Sequence, residues 1–311
     1  MTHGTNGAHH HHHHHIDRDA GDARIAWAVV VNLALTVAQV VGGILSGSLA
    51  LIADALHNFS DAVSLIIAFV ARRIARRPAD AGMSFGYGRV EVVAALVNYT
   101  TLIVLALYLI YEGVLRFMNP QPIDGWMVVW IAALALVIDL VTAALTYSMS
   151  KESMNIRAAF LHNVADALGS VAVIVAGTLV IIYGWTWVDP VVTLLIAGYI
   201  LWHVKAEIGG VVSVLMLGSP PHLDLDDVVQ GIEAIDGVED VHHIHLWMMQ
   251  EHDTSLEAHL VIGEGHWPRG DQIKGQVKSI LAARFSISHS TLELECSRHA
   301  CTKPAKIGHL T

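Results

Sequence analysis

The chain has 311 residues, 54% of them hydrophobic and 15% charged, and a mean hydropathy of +0.51. Soluble proteins carry about 25% charged residues, which argues against a plain cytosolic enzyme. A net charge of −10, from 18 Lys and Arg against 28 Asp and Glu, withholds the positive field that nucleic-acid binding needs, so no nucleic-acid partner is expected.

In chain order, residues 1–24 show no apolar periodicity and are expected to form a disordered, His-rich cytoplasmic tail. Its run from His9 to His15 fits a metal-gathering tail and an engineered tag equally well. Six apolar stretches follow, at Ile25–Leu45, Leu49–Ala71, Val90–Leu115, Trp126–Ser148, Ala158–Tyr183 and Trp187–Val204. Each approaches or exceeds the roughly 20 helical residues that cross a bilayer, so residues 25–215 are expected to form a six-helix transmembrane domain. With the N-terminus placed in the cytoplasm, Arg18, Arg24, Arg72, Arg73, Arg76, Arg77, Arg89, Lys151, Arg157 and Lys205 fall inside and Arg116 outside. This follows the positive-inside rule and puts both termini in the cytoplasm.

After Gly218 the composition changes at Ser219-Pro220-Pro221, and most of the remaining charge lies beyond. Residues 219–300 read as a cytoplasmic α+β domain: helix (Asp224–Ile235), strand (Val238–Met249), strand (Thr254–Ile262), helix (Asp271–Phe285), strand (Ser290–Glu295). An αββαβ sandwich is the expected packing, with 301–311 as a tail. Two cysteines, Cys296 and Cys301, are too few for a disulfide framework.

Ionisable side chains at bilayer depth cost at least ~2.5–3.5 kcal/mol and need a partner or a task. The second stretch carries His57 and Asp61, the fifth His162 and Asp166, in matching strings Leu-His-Asn-x-x-Asp-Ala. A spacing of four places each His and Asp on one helical face. If the two helices pack together, two imidazoles and two carboxylates converge, a tetrahedral set suited to Zn²⁺ rather than Mg²⁺, Ca²⁺ or Cu⁺. A single pair reads equally well as hydrogen-bonding glue between helices; two matching pairs favour the metal site. Asp54 is read as a relay carboxylate or a hydrogen-bond partner, and Asn32, Gln39, Asn98, Glu112 and Asp139 as interhelical or interfacial partners.

These features, with Gly42-Gly43, Ser46-Gly47-Ser48-Leu49-Ala50-Leu51, Phe85-Gly86-Tyr87-Gly88-Arg89, Gly169-Ser170, Val241-His242-His243-Ile244-His245-Leu246-Trp247 and His289-x-Thr291-Leu292-x-Leu294-Glu295, resemble the cation diffusion facilitator family along nearly the whole chain. Among its members the chain is most similar to bacterial zinc exporters. The resemblance implies no enzyme but a homodimeric, proton-coupled antiporter of the bacterial inner membrane that exports Zn²⁺ from the cytoplasm. It places the transport site on His57, Asp61, His162 and Asp166, and a metallochaperone-like fold on the cytoplasmic domain. Members with Asp in place of the first His also handle cadmium, so His57 points toward zinc. Some members hold a further metal on the link between the second and third helices; here Pro78–Arg89 offers Asp80 but no histidine, and that site is expected to be absent or very weak.

In the cytoplasmic domain, strand alternation puts His243 and His245 on one face and His242 on the other, with His259 alongside on the next strand. The candidate regulatory Zn²⁺ site comprises His242, His245, His259, Glu295, Cys296, His299 and Cys301, of which the resemblance favours His242 and His259. The competing functional reading is a membrane-anchored zinc sensor without transport. The sequence contains neither the His-Glu-x-x-His motif of a metalloprotease nor the GxxxxGK[ST] loop of an ATP-driven pump.

Overall fold

The computed structural model describes residues 33–147, 154–250, 253–302 and 304–308, and leaves the side chains of 65, 145, 146, 154–160 and 162 outside that description. The expected tail 1–24, with His9 to His15, and the start of the first apolar stretch lie outside the described residues. Six apolar helices follow: α1 (Leu33–Ser46), α2 (Leu49–Ala75), α3 (Val90–Met118), α4 (Gly125–Tyr147), α5 (Met154–Tyr183) and α6 (Val188–Leu215). The last five are long and apolar enough to cross a membrane; the described part of α1 is shorter. α2 outruns its apolar stretch to include Arg72 and Arg73, cations that favour the negative end of the helix dipole. The chain divides into two compact units, one holding residues up to Val63 with Leu107–Gly198, the other Ser64–Ala106 with the residues from Tyr199 onward.

In the first unit the core is built from small and branched residues: Ala50 and Leu51 of α2, Val128 and Ala132 of α4, Val173 and Ala176 of α5, Val188 and Val192 of α6. Small side chains let apolar helices approach closely, which is how helices pack where no water drives them together. Gly169 marks such an approach, since a Cβ there would stand 3.3 Å from Asp54 Oδ1. Trp126, Trp130, Leu140 and Leu195 are exposed, the expected surface of helices whose solvent is lipid.

The start of α2 is satisfied from a distance. Asp189, fully buried near the start of α6, accepts hydrogen bonds from the Ser48 hydroxyl, Leu49 N (2.8 Å) and Ala50 N (3.3 Å). Ser48 Oγ accepts in turn from Leu51 N at 3.1 Å. Without these acceptors, the first amides of α2 have no intrahelical partner. Arg116 completes the corner, donating to Gly47 O at 2.6 Å and to Glu112 Oε1 at 3.1 Å. The interior polar residues bond between helices as the sequence suggests: Gln39 Nε2 to Asp54 Oδ2 (2.6 Å), Asn58 Nδ2 to Gln39 Oε1 (3.2 Å), Ser170 Oγ to Asp139 Oδ2 (3.2 Å).

In the second unit, Ser64 Oγ bonds Asn98 Oδ1 at 2.5 Å. The link between α2 and α3 is organised by Asp80, which accepts from Tyr87 Oη (2.7 Å), Gly82 N (2.8 Å) and Met83 N (2.9 Å). Those donors, Tyr87 foremost, hold the Asp80 carboxyl below its ordinary range and engage it within its own loop. Arg89 Nε donates to Met249 O at 3.0 Å, beside an apolar cluster of Val92, Val214 and Met248.

The C-terminal domain has the expected order: α7 (Leu225–Glu233), β1 (Val238–Gln250), β2 (Asp253–Ile262), a 3-10 turn (Glu264–Arg269), α8 (Gly270–Phe285) and β3 (Ile287–Cys296). The sheet runs β1-β2-β3, antiparallel then parallel, with α8 as the crossover that a parallel pair requires. Asp224 caps α7 by accepting from Asp226 N. Val228, Ile232, Ile273, Val277, Leu281 and Phe285 of the helices close over Ile244, Leu246, Leu256 and Leu260 of the sheet. Gly237 enters β1 at φ +98°, where an added Cβ would come within 2.7 Å of Ile273 Cδ1. Gly237→Ala is therefore expected to destabilise this domain by about 1–2 kcal/mol or more, read as lost hydrogen-exchange protection at Ile244 and Leu260.

Candidate metal centres

The first centre lies between α2 and α5. His57 and Asp61 sit one turn apart on α2, with His57 Nε2 3.7 Å from Asp61 Oδ2 and 3.4 Å from Asp166 Oδ1 on α5. One ligand atom from each of the three lies within 4.8 Å of the others. Asp166 is nearly buried, so the His57 ring beside it stands where bulk water would otherwise solvate the carboxyl group. The fourth expected residue, His162, belongs to α5 one turn before Asp166, but its side chain lies outside the described residues. The structure thus brings together His57, Asp61 and Asp166, a mixed imidazole and carboxylate set suited to a first-row divalent ion.

The second centre is on the sheet of the C-terminal domain. His242, His243, His259 and Cys301 each offer a ligand atom within 4.8 Å of the others. The ring centroids stand 5.1 Å apart for His242 and His243, 5.5 Å for His242 and His259, and 4.8 Å for His243 and His259. His259, Glu293 and Glu295 form an overlapping group. Glu295 ties the set together: its Oε1 is 2.6 Å from His259 Nδ1, and its Oε2 is 3.4 Å from His242 Nε2 and accepts from Cys301 N at 2.9 Å. His242 is 2% exposed and also meets Asp240 Oδ2 through Nδ1, at 2.9 Å.

Strand alternation alone misplaces two residues here. The ladder pairs His242 with His259 but His245 with Glu257, so β1 carries one residue more than β2 in that interval. This is a β-bulge, with His243 at φ +49°, a left-handed conformation that His adopts more readily than most residues. The bulge turns His243 to the side of His242 and His259, and removes His245 from the set; His245 instead lines a cleft of about 370 Å³ with Trp247, Glu257 and Ile307. Cys296 and His299 do not join the group among the described residues, because Cys296 continues the β3 pairing opposite Ile262 and His299 is exposed in the turn that follows. His243 and Glu293 are the members that sequence reasoning missed. No periodicity signals a bulge, so strand alternation could not bring His243 into the set.

Burial opposes ionisation of Glu295, but hydrogen bonds from Cys301 N and His259 outweigh it and lower its pKa to about 2. The hydrogen bond to Glu295 conversely pushes the Cys301 thiol up. Because the folded value for Glu295 lies below the ordinary 4.5, its stabilising contribution is complete above that pH and lost as pH falls toward 2. Acid unfolding of the metal-free protein, followed by hydrogen exchange in β3, is expected to lose part of its pH dependence in this window in Glu295→Gln.

Comparison with known proteins gives the following matches. The family model described as the cation efflux transmembrane domain matches residues 25–216, and that of the cytoplasmic domain of cation efflux proteins, a dimerising module, matches 220–296. A cadmium, cobalt and zinc/H(+)-K(+) antiporter of Bacillus subtilis is 33% identical over 264 residues, 84% of this chain and 85% of that protein. The metal cation efflux system protein CzcD of Cupriavidus metallidurans is 35% identical over 304 residues, 94% of this chain and 95% of that protein. The zinc transporter ZitB of Pectobacterium atrosepticum is 34% identical over 278 residues, 88% of this chain and 86% of that protein.

Proposed function

The chain belongs to the cation efflux family, the cation diffusion facilitators, a multi-pass membrane transporter family and not an enzyme family, and from that premise we propose that it exports Zn²⁺ from the cytoplasm in exchange for protons. The ion is bound between α2 and α5 by His57, Asp61, His162 and Asp166. The observation that carries this reading is the convergence of His57, Asp61 and Asp166 within 4.8 Å on two apolar helices. Carboxylates and imidazole in such surroundings are costly unless a cation or proton is present to neutralise them.

The chemistry of the cycle follows from these groups. Histidine titrates near pH ~6.5 and binds metal only when neutral, so proton and metal compete for the same nitrogen. Zn²⁺ arriving from the cytoplasm displaces protons from the site; when the site opens to the other side, protons displace Zn²⁺. A fixed central site with helices that alternate its exposure is the general plan of secondary transporters. Members of the family with Asp in place of the first His also handle cadmium, so His57 supports Zn²⁺ as the main substrate, with Cd²⁺ and other divalent transition metals secondary. The protein works as a homodimer in the bacterial inner membrane with both termini in the cytoplasm. The cytoplasmic domain holds regulatory metal through His242 and His259, with Glu295 as the acidic partner.

The test is Zn²⁺ uptake by proteoliposomes containing the full chain, with an imposed pH gradient. Uptake that collapses when an ionophore dissipates the gradient is the expected result. Zn²⁺ binding with no gradient-driven flux overturns the antiporter and leaves the zinc-sensor reading.

A further inference from the structure

The described residues after β3 stay with the domain. The chain turns at His299, whose amide donates to Cys296 O at 2.8 Å, and then runs back along the outer edge of β1. There His243 N donates to Ala305 O (3.0 Å), Ile244 N to Lys306 O (3.0 Å) and Gly308 N to Ile244 O (3.2 Å), in a parallel bridge between Ile244 and Ile307. This short segment is a fourth, minimal strand. Three backbone hydrogen bonds are a small return for fixing the backbone of residues 304–308, so the pairing alone holds them weakly.

Two features connect this segment to the histidine cluster. Cys301, at its start, offers its sulfur to the group formed by His242, His243 and His259. His243, in the bulge, takes part twice: its amide holds Ala305 and its ring belongs to the cluster. A regular strand would place that ring on the opposite face, so the bulge lets one residue serve both the edge and the cluster. His242 is almost wholly buried, and its Nε2, 3.4 Å from Glu295 Oε2, makes no hydrogen bond, which leaves that nitrogen open to the cluster.

We propose that Cys301 and residues 304–308 form a metal-fastened strap: a borderline-soft divalent cation held by His242 and His259 also takes the Cys301 thiolate and the His243 imidazole, and so locks residues 304–308 onto the edge of β1. The proposal rests on the reading of His242 and His259 as a metal site. Binding converts the Cys301 thiol to thiolate and releases its proton to solvent. Three imidazoles and one thiolate suit Zn²⁺ or Co²⁺, whereas Mg²⁺ and Ca²⁺ prefer an oxygen shell and leave the strap unfastened. Cytoplasmic metal is thereby turned into order along one edge of the sheet.

The test uses the detergent-solubilised full chain with Co²⁺, Zn²⁺ or Mg²⁺ as probe. Co²⁺ is expected to give a thiolate-to-metal charge-transfer band that survives Cys296→Ser and disappears in Cys301→Ser. In Cys296→Ser, Zn²⁺ is expected to slow maleimide labelling of Cys301 by about tenfold or more while Mg²⁺ leaves it unchanged, since a metal-bound thiolate is a poor nucleophile. Hydrogen exchange at Ile244 and Gly308 slows with Zn²⁺ in the wild type but not in Cys301→Ser. Cobalt ligand-field bands that depend on His242, without a charge-transfer band or protection of Cys301, overturn the strap and leave the histidine site standing. No spectrum that depends on His242 removes both.

Discussion

Proteoliposomes carrying Asp166→Ala are expected to take up Zn²⁺ under a pH gradient at least about 100-fold more slowly than wild type, because even an outer-shell change at a metal site costs about 10–100-fold. Asp166 is the described carboxylate that α5 contributes to the centre, 3.4 Å from His57 Nε2. Its loss leaves three of the four proposed ligands, His57, Asp61 and His162, with one carboxylate in place of two to offset the charge of a divalent ion. Asp61→Ala is expected to fail similarly, since Asp61 is the carboxylate of the α2 pair. Both variants retain the small-residue core around Ala50, Ala132 and Ala176 and elute from size exclusion as wild type does. Wild-type flux from a folded Asp166→Ala protein excludes this centre as the transport site.

Asp189→Ala is expected to have the largest effect on stability. The carboxylate accepts from one hydroxyl and two amides at the start of α2, all buried, and alanine leaves those donors without an acceptor. At about 1–3 kcal/mol for each unsatisfied buried group, partly relieved by water entering the corner, the loss is about 2–4 kcal/mol. In a thermal scan of the solubilised protein this lowers the midpoint by several degrees. Asp189→Asn retains one carbonyl acceptor and is expected to fall between the two. An unchanged midpoint in Asp189→Ala means that α2 is capped by other means.

Much of this architecture is legible from the chain because hydrophobic length and helical spacing are local properties. The apolar stretches become helices, and the αββαβ order of the C-terminal domain follows from periodicity and turn residues. His57 and Asp61 share a face because four residues make about one turn, and the matching string on α5 identifies the facing helix. Other features arise only from contacts between distant segments. Asp189 lies 140 residues from Leu49, and nothing near either position announces that one caps the other. The bulge at His243 is equally invisible, since a single extra residue reverses the face of everything before it. Sequence reasoning therefore singled out His242 and His259, which the structure brings together, and placed His245 rather than His243 beside them. The return of the tail to the β1 edge escaped it as well, for the pairing is too short to leave an alternating pattern.

The parallel pairing of β3 also sets an order of assembly. β1 and β2 are antiparallel neighbours separated by two residues in the chain and are expected to pair on the microsecond scale, whereas β3 docks only after the intervening turn and α8 have formed. During refolding, His242 and His259 therefore meet before Glu293 and Glu295 reach them. The β1–β2 pair alone presents His242, His243 and His259 without the β3 carboxylates or Cys301, a weaker trap for a divalent ion than the complete sheet. Tight metal binding is therefore expected to report a completed sheet rather than a collapsed chain.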